Sequence, residues 1–139
     1  MEYQAQTLFG QFGLPVMRGC VVEKWEDLAP AVAEAKLCYP VVVKAQVQIG
    51  GRGKAGGIQF AGNLEEAQKH AQNLLGSQLR GLTVRKLYIV EKASYQKEWY
   101  LSILLDRVNK QPLIIFSDAG GMEIEETAKE NPQRIKNVI

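Results

Sequence analysis

The chain predicts an α+β fold, with helices and strands that are not regularly wound around one parallel sheet, on three observations. Its hydrophobic periods alternate between helical and strand types in the order α, α, β, glycine loop, β, α, β and then a hairpin. The glycine loop, Gly50-Gly51-Arg52-Gly53-Lys54-Ala55-Gly56-Gly57, joins two strand-like runs instead of opening a helix. The length of 139 residues, with 46% hydrophobic content, supports one core and at most two lobes, not two full-sized domains.

Each element follows from local pattern. Ala5, Leu8, Phe9 and Phe12 recur at helical spacing, Gly13 offers a C-cap and Pro15 forbids continuation, so residues 2–12 form a short amphipathic helix. Leu28, Ala31, Val32 and Ala35 repeat the pattern in a second helix, where Pro30 is tolerated because it falls in the first turn. Pro40 starts the strand that runs Val41-Val42-Val43-Lys44-Ala45-Gln46-Val47, and Ile58-Gln59-Phe60-Ala61 reads as the strand after the glycines. Asn63 caps a third helix with Glu66 at the capping-box position; Leu64, Ala67, Ala71, Leu74 and Leu75 make its apolar face and Gly76 ends it. Residues 77–85 read as a loop or an ill-defined strand. Lys86–Glu91 and Glu98–Leu105 are strand runs, and after the turn Asp106–Lys110 the run Pro112–Phe116 completes a hairpin with the latter. Gly120-Gly121 breaks the pattern, and Glu123–Lys129 forms an acidic turn or short helix.

Composition removes several function classes. A net charge of +2 gives no strong attraction to nucleic acid or to a membrane surface. Cys20 and Cys38 are too few and too far apart for a disulfide scaffold or a zinc site, and read as free structural cysteines. No stretch resembles a targeting segment or a membrane span, so a reduced, soluble, intracellular compartment is the default expectation. His70 lies beside the apolar stripe of the third helix and lacks a partner motif, which makes it a helix-surface residue and not a catalytic one.

The glycine loop carries the chemistry. Gly51-x-Gly53-x-x-Gly56 matches the dinucleotide fingerprint as a string, but that fingerprint needs a helix to open at the glycines, and here Ile58 begins a strand. A P-loop needs Ser or Thr after Gly-Lys to ligate magnesium, and Ala55 stands there. Strand, glycine loop, strand is instead the plan of a flap folded over phosphates, as in protein kinases, although the kinase His-Arg-Asp segment is missing. Strand alternation places Lys44 on one face with Val42, Gln46 and Gln48. An ammonium bracketed by valines is costly to bury without an anion, and a phosphate oxygen suits it; a lysine snorkelling from an edge strand is the plainer alternative. Glu91 and Glu98 flank a connection that can meet a base edge or ribose hydroxyls, whereas taken alone they are ordinary strand-end charges.

Glu2-Tyr3-Gln4-Ala5, Leu8-Phe9, Gly13-Leu14-Pro15, Val42–Val47, the uninterrupted Gly50–Gly57 and Gly120-Gly121-Met122-Glu123-Ile124-Glu125 together resemble, in collinear order along the whole chain, the N-terminal part of the β subunit of succinate–CoA ligase. The resemblance implies an ATP-grasp fold, with a nucleotide held between two α+β lobes, and ATP or GTP as the nucleotide. It implies that Lys44 meets the phosphates, that Gly51, Arg52 and Gly53 form the phosphate flap, that Glu91 lies at the base and hinge, that Ser94 makes a further nucleotide contact and that Glu98 holds the ribose. On this reading residues 1–18 are an N-terminal helix and linker, 19–95 the first lobe and 96–139 the start of a second, truncated lobe. Gly120–Glu125 is given a structural role first. The resemblance further implies a partner α subunit that carries a phosphohistidine, succinate and CoA as co-substrates, and Mg2+ whose ligands lie beyond this segment, so that no catalytic or metal-binding residue is expected within it. A bacterial or archaeal cytoplasm, or a mitochondrial matrix, would be the compartment. The alternatives are another CoA ligase such as malate–CoA ligase, an ATP-grasp carboxylate–amine ligase, and a non-catalytic module whose glycine loop is only a flexible hairpin.

Overall fold

A computed structural model of the chain describes residues 1–120 and 124–138. They form two compact units, Met1–Ala93 and Ser94–Ile139, and each is described by itself.

In the first unit, helix α1 (Glu2–Gln11) is followed by strand β1 (Gly19–Val22), a short 3-10 turn (Trp25–Asp27), helix α2 (Leu28–Glu34), strands β2 (Val41–Ala45) and β3 (Ile58–Ala61), helix α3 (Leu64–Leu74), the two-residue strands β4 (Gln78–Leu79) and β5 (Leu82–Thr83), and strand β6 (Leu87–Glu91). The ends of these helices obey the local chemistry. Gly13 takes a positive φ of 76° just past α1, which only glycine does at little cost. The Asn63 side chain accepts the Glu66 N–H at 2.9 Å at the start of α3, and the Glu66 carboxylate accepts the Gly62 N–H at 2.7 Å, one residue upstream of the ordinary capping box.

The sheet order is β1-β6-β2-β3, with every pairing antiparallel. Strand β6 therefore enters between β1 and β2, whose connection crosses through α2, while α3 carries the chain from edge strand β3 back to β6. Alternation sorts the side chains to two faces. Val41, Val43, Ala45, Leu87, Ile89 and Val22 pack on Leu28 and Val32 of α2 and on Ala67, Ala71 and Leu74 of α3, forming the main core. The opposite face carries Val42, Tyr88 and Val90, against which Tyr3 of α1, Val21 and Ile58 pack.

Two expectations change in this unit. Helix α1 forms, but it buries no residue, and Leu8, Phe9 and Phe12 are 51%, 47% and 78% exposed, so its apolar stripe is not spent on this unit's core. Residues 77–85 contain the hairpin β4–β5, and residues 19–22, which show no readable period, form β1. Half-buried Cys20 packs against the core, and burial pushes its thiol up to about 11, whereas Cys38 is exposed. Iodoacetamide at mildly alkaline pH is therefore expected to label Cys38 at least about tenfold faster than Cys20, because the thiolate is the reactive form. Equal rates in a peptide-resolved mass measurement would show that Cys20 is not held against the core.

The second unit is a three-stranded antiparallel sheet, β7 (Tyr100–Asp106), β8 (Gln111–Ser117) and β9 (Ile135–Val138), in that spatial order, with helix α4 (Ile124–Glu130) and a 3-10 turn (Pro132–Arg134) between β8 and β9. The expected hairpin is present, closed by Asp106, whose Oδ1 accepts the Val108 and Asn109 N–H groups at 2.9 and 3.1 Å. The Asn109 side chain and backbone hold the Asp106 carboxyl below its ordinary range. Strand β9, with its charged Ile135-Lys136-Asn137-Val138, carries no strand signal in sequence; its register with Ile114–Ser117 comes from tertiary pairing. Of the segment Gly120–Glu125, Gly121, Met122 and Glu123 lie outside the described residues. Among the described residues, no helix is long and apolar enough to cross a membrane.

Candidate phosphate and nucleotide site

Lys44 lies on β2 between Ile58 of β3 and Tyr88 of β6, on the face covered by Tyr3 of α1. The anion that its burial demands comes from the chain itself: its Nζ donates to Glu2 Oε1 at 2.8 Å. The other oxygen of the same carboxylate, Oε2, accepts from Arg52 Nη2 at 2.7 Å, and Arg52 Nη1 donates to the Ala45 carbonyl at 2.9 Å. One carboxylate from α1 thus bridges the strand lysine and the flap arginine. The three side chains are 20–24% exposed, so the ion pairs are shielded but reachable.

Burial works to raise the Glu2 pKa, but the hydrogen bonds and charges of Lys44 and Arg52 outweigh it and hold the carboxyl below its ordinary value. A depressed folded pKa contributes stability above the unfolded value, which is lost as pH falls through the folded one, so this bridge is intact at neutral pH and opens only in acid. Burial, and then the nearby Glu2 charge, push the Tyr88 phenol up.

The glycine loop is a folded turn linking β2 to β3. Ala55, Gly56 and Gly57 donate their N–H groups back to the carbonyls of Gly51, Gly53 and Arg52 at 3.2, 3.0 and 2.8 Å, and Ala45 N–H donates to the Gly57 carbonyl at 2.8 Å. Gly51 and Gly56 hold φ of 65° and 77°, a region that side chains disfavour. Among the described residues, no protein acceptor takes the N–H groups of Gly51, Arg52 and Gly53. The loop therefore spends its later amides on its own shape and leaves three consecutive ones, beside two cations, able to face an anion.

Glu91 ends β6 opposite Val41, three residues along β2 from Lys44, which separates them by about 10 Å along the strand. It also lies on the other face, since it alternates with Val90. Its carboxylate accepts from Arg18 Nη2 at 2.7 Å, Arg18 Nε at 3.3 Å and the Cys38 N–H at 2.9 Å. The Glu91 and Lys92 N–H groups in turn donate to the carbonyls of Arg18 and Pro40. The Glu91 side chain therefore ties the β6 end to the segment before β1 and to the α2–β2 loop.

Ser94 and Glu98 belong to the second unit, and both are exposed. The Glu98 carbonyl accepts the Gly120 N–H at 2.9 Å, and a Cβ on Gly120 would stand 2.5 Å from the Glu98 carbonyl carbon and 2.6 Å from its oxygen. Those are backbone atoms and cannot rotate away. Gly120→Ala is thus expected to cost about 1–3 kcal/mol by overpacking, read as a lowered thermal midpoint; an unchanged midpoint would mean that the two segments separate freely. Lys44, Arg52 and the flap glycines are brought together in one unit, with Glu91 at the far end of the same strand pair.

Sequence reasoning missed three members of this arrangement. Glu2 was visible only as a word of the family resemblance, because its partners are 42 and 50 residues away. Arg18 sits in a segment without a period. Gln46, 2% exposed, accepts the Tyr3 N–H through Oε1 at 3.4 Å and so helps to seat α1. The predicted sharing of a face with Lys44 was its only signal, and Gln48 beyond the strand is exposed.

A family model described as an ATP-grasp domain matches residues 1–139. The β subunit of the ADP-forming succinate–CoA ligase from Methanocaldococcus jannaschii is 46% identical over 134 residues, 96% of this chain and 36% of that protein. The corresponding subunit from a strain of Chloroflexus aurantiacus is 48% identical over 134 residues, 96% of this chain and 35% of that one. The chain therefore spans about a third of the length of these relatives. Among solved structures, the dinucleotide-forming acetyl-coenzyme A synthetase 1 of Ca. Korarchaeum cryptofilum, in complex with coenzyme A, Ca-AMPCP and HgCl+, superposes with a TM-score of 0.70 at 19% identity, covering 99% of this chain and 58% of that one. At that identity the likeness is one of fold, and it agrees with the family match over the full chain: the chain belongs to the ATP-grasp family.

Proposed function

We propose that this chain is the first part of the nucleotide site of an acid–CoA ligase, a succinate–CoA ligase β subunit, which uses ATP or GTP to phosphorylate a histidine of a partner α subunit on the way to succinyl-CoA. The observation that carries the reading is the convergence of Lys44 and Arg52 on one carboxylate beside the undonated amides of Gly51, Arg52 and Gly53. The identity of the chain to succinate–CoA ligase β subunits supports the choice of ligase.

Two cations and a run of N–H groups neutralise and orient a polyphosphate, and in phosphoryl transfer such positioning and charge stabilisation supply most of the acceleration. The γ-phosphorus–oxygen bond to the nucleoside diphosphate breaks as a phosphorus–nitrogen bond forms to the imidazole of the partner. Lys44 and the flap hold the departing diphosphate's charge. Glu91, tied by Arg18 and Cys38, fixes the end of β6 from which the connection to Ser94 departs; Ser94 and Glu98 contact the nucleoside, Glu98 through its carboxylate on the ribose. Among the described residues, no group of three or more His, Cys, Asp or Glu side chains is placed to hold a metal ion. No step is assigned through Mg2+.

Calorimetric titration of the full-length protein with ATP, GTP, ADP and AMP tests the reading. A triphosphate is expected to bind at least about tenfold tighter than AMP, a difference of roughly 1.4 kcal/mol, because the lysine and flap meet the distal phosphates. Equal affinity for AMP, or no binding of any of the four, would overturn it.

A further inference from the structure

We propose that Glu2 is a positioning residue for nucleotide phosphate: by bridging Lys44 and Arg52 it sets the spacing of the two cations and holds the glycine flap against strand β2. The inference rests on the phosphate-binding reading above and assigns a role to a residue on α1, outside strand and flap alike.

Three observations carry it. First, the bridge is complete and short: each carboxylate oxygen serves one cation, at 2.8 and 2.7 Å, within the range of charge-assisted hydrogen bonds. Second, neither cation is exhausted by it. Lys44 keeps ammonium N–H groups beyond the one given to Glu2, and Arg52 keeps donors beyond those given to Glu2 and to the Ala45 carbonyl. The cluster of two cations and one anion stays at +1, so it still attracts phosphate while the mutual repulsion of Lys44 and Arg52 is relieved. Third, Glu2 is itself held in place. It opens α1, whose next residue, Tyr3, packs against Val42, Tyr88 and Val90 and donates its N–H to buried Gln46. A carboxylate on a seated helix end is a fixed strut. It joins strand β2 to the loop in addition to the Ala45 N–H bond to the Gly57 carbonyl and the Arg52 bond to the Ala45 carbonyl, and it is the second side-chain anchor of Arg52.

The test uses the full-length protein with its partner subunit, and measures ATP and GTP binding and partner phosphorylation for Glu2→Gln, Glu2→Asp, Arg52→Gln, Glu2→Gln/Arg52→Gln and Lys44→Ala. Glu2→Gln, isosteric but uncharged, is expected to weaken binding of the nucleotide that the unaltered protein takes by about tenfold. Glu2→Asp keeps the charge but spans both cations less well, and should weaken it by about threefold. In the Arg52→Gln background, Glu2→Gln should add less than about twofold, since Glu2 acts through that arginine; a purely structural residue would cost the same in both backgrounds. If Glu2→Gln does not fold, as judged by circular dichroism, Glu2→Asp decides: affinity equal to that of the unaltered protein, or tighter, overturns the proposal. Tighter binding by Glu2→Gln would make the carboxylate a competitor of phosphate, and also overturns it. Unchanged binding in Glu2→Gln with binding lost in Lys44→Ala removes only the role of Glu2, whereas binding unchanged in Lys44→Ala removes the phosphate site itself.

Discussion

On the proposed function, Lys44→Ala in the full-length protein assembled with the proposed partner subunit is expected to lower nucleotide-dependent phosphorylation of that partner by at least about 100-fold, the scale on which removing one preorganised charge-stabilising donor acts. The side chain sits 2.8 Å from Glu2, and its strand partner Ile58 directly follows the flap glycines, on the face that the proposal assigns to phosphate. Its removal leaves Glu2 paired with Arg52 alone and converts a +1 cluster to a neutral one, so the attraction for phosphate falls as well as the stabilisation of the departing diphosphate. The fold should survive, because Val41, Val43 and Ala45, all 0% exposed, anchor β2 on the opposite face. Lys44→Arg is not expected to restore full activity, since a planar guanidinium cannot occupy the place of a compact ammonium between Ile58 and Tyr88. Phosphorylation at the unaltered rate in Lys44→Ala would remove Lys44 from the site.

What could be read before folding, and what could not, divides by the range of the interaction. Helix α3 was legible down to its cap because Asn63, Glu66 and Gly76 act within one or two turns. The strand–flap–strand unit was legible because the strand-like run Ile58-Gln59-Phe60-Ala61 follows the glycines directly, where a helix-opening glycine loop needs a helix. Strand β1 was not, since four residues hold too few periods, and its pairing with β6 spans some 70 residues of sequence. The two-residue strands β4 and β5 exist only as a hairpin, and β9 is a strand only because β8 offers it an edge. The same division runs through the site. Lys44 and the flap announce a need for an anion locally, but the residue that meets it, Glu2, is fixed only once α1 lies across the sheet. Glu91 adds a second case: its carboxylate accepts from Arg18 and the Cys38 N–H, contacts that no local pattern encodes.

Ile89→Ala is expected to destabilise the first unit by about 3 kcal/mol, within the usual cost of an isoleucine-to-alanine cavity in a core. Ile89 is fully buried on β6, paired with Cys20 on one side and Val43 on the other, at the centre of the sheet and facing the helices. Flanking strands on both sides limit collapse, so most of the lost transfer energy and the cavity remain. Against a stability of roughly 5–15 kcal/mol for an ordinary domain the loss is a large fraction, and the thermal midpoint should fall by more than about 10 °C for a unit of this size. Nucleotide handling, which Lys44→Ala is expected to impair, should be little changed. Ile89 points to α2 and α3, whereas Lys44, Tyr88 and Glu2 lie on the α1 side of the same sheet. Well below its transition the variant should bind nucleotide within about threefold of the unaltered protein, because sites that share no partners perturb one another weakly. A cost below about 1 kcal/mol in denaturant unfolding would mean that the sheet and helices are not packed at β6, and a tenfold loss of affinity at full folding would mean that the two faces are coupled through the strand, contrary to the separation of core and charge on which the site rests.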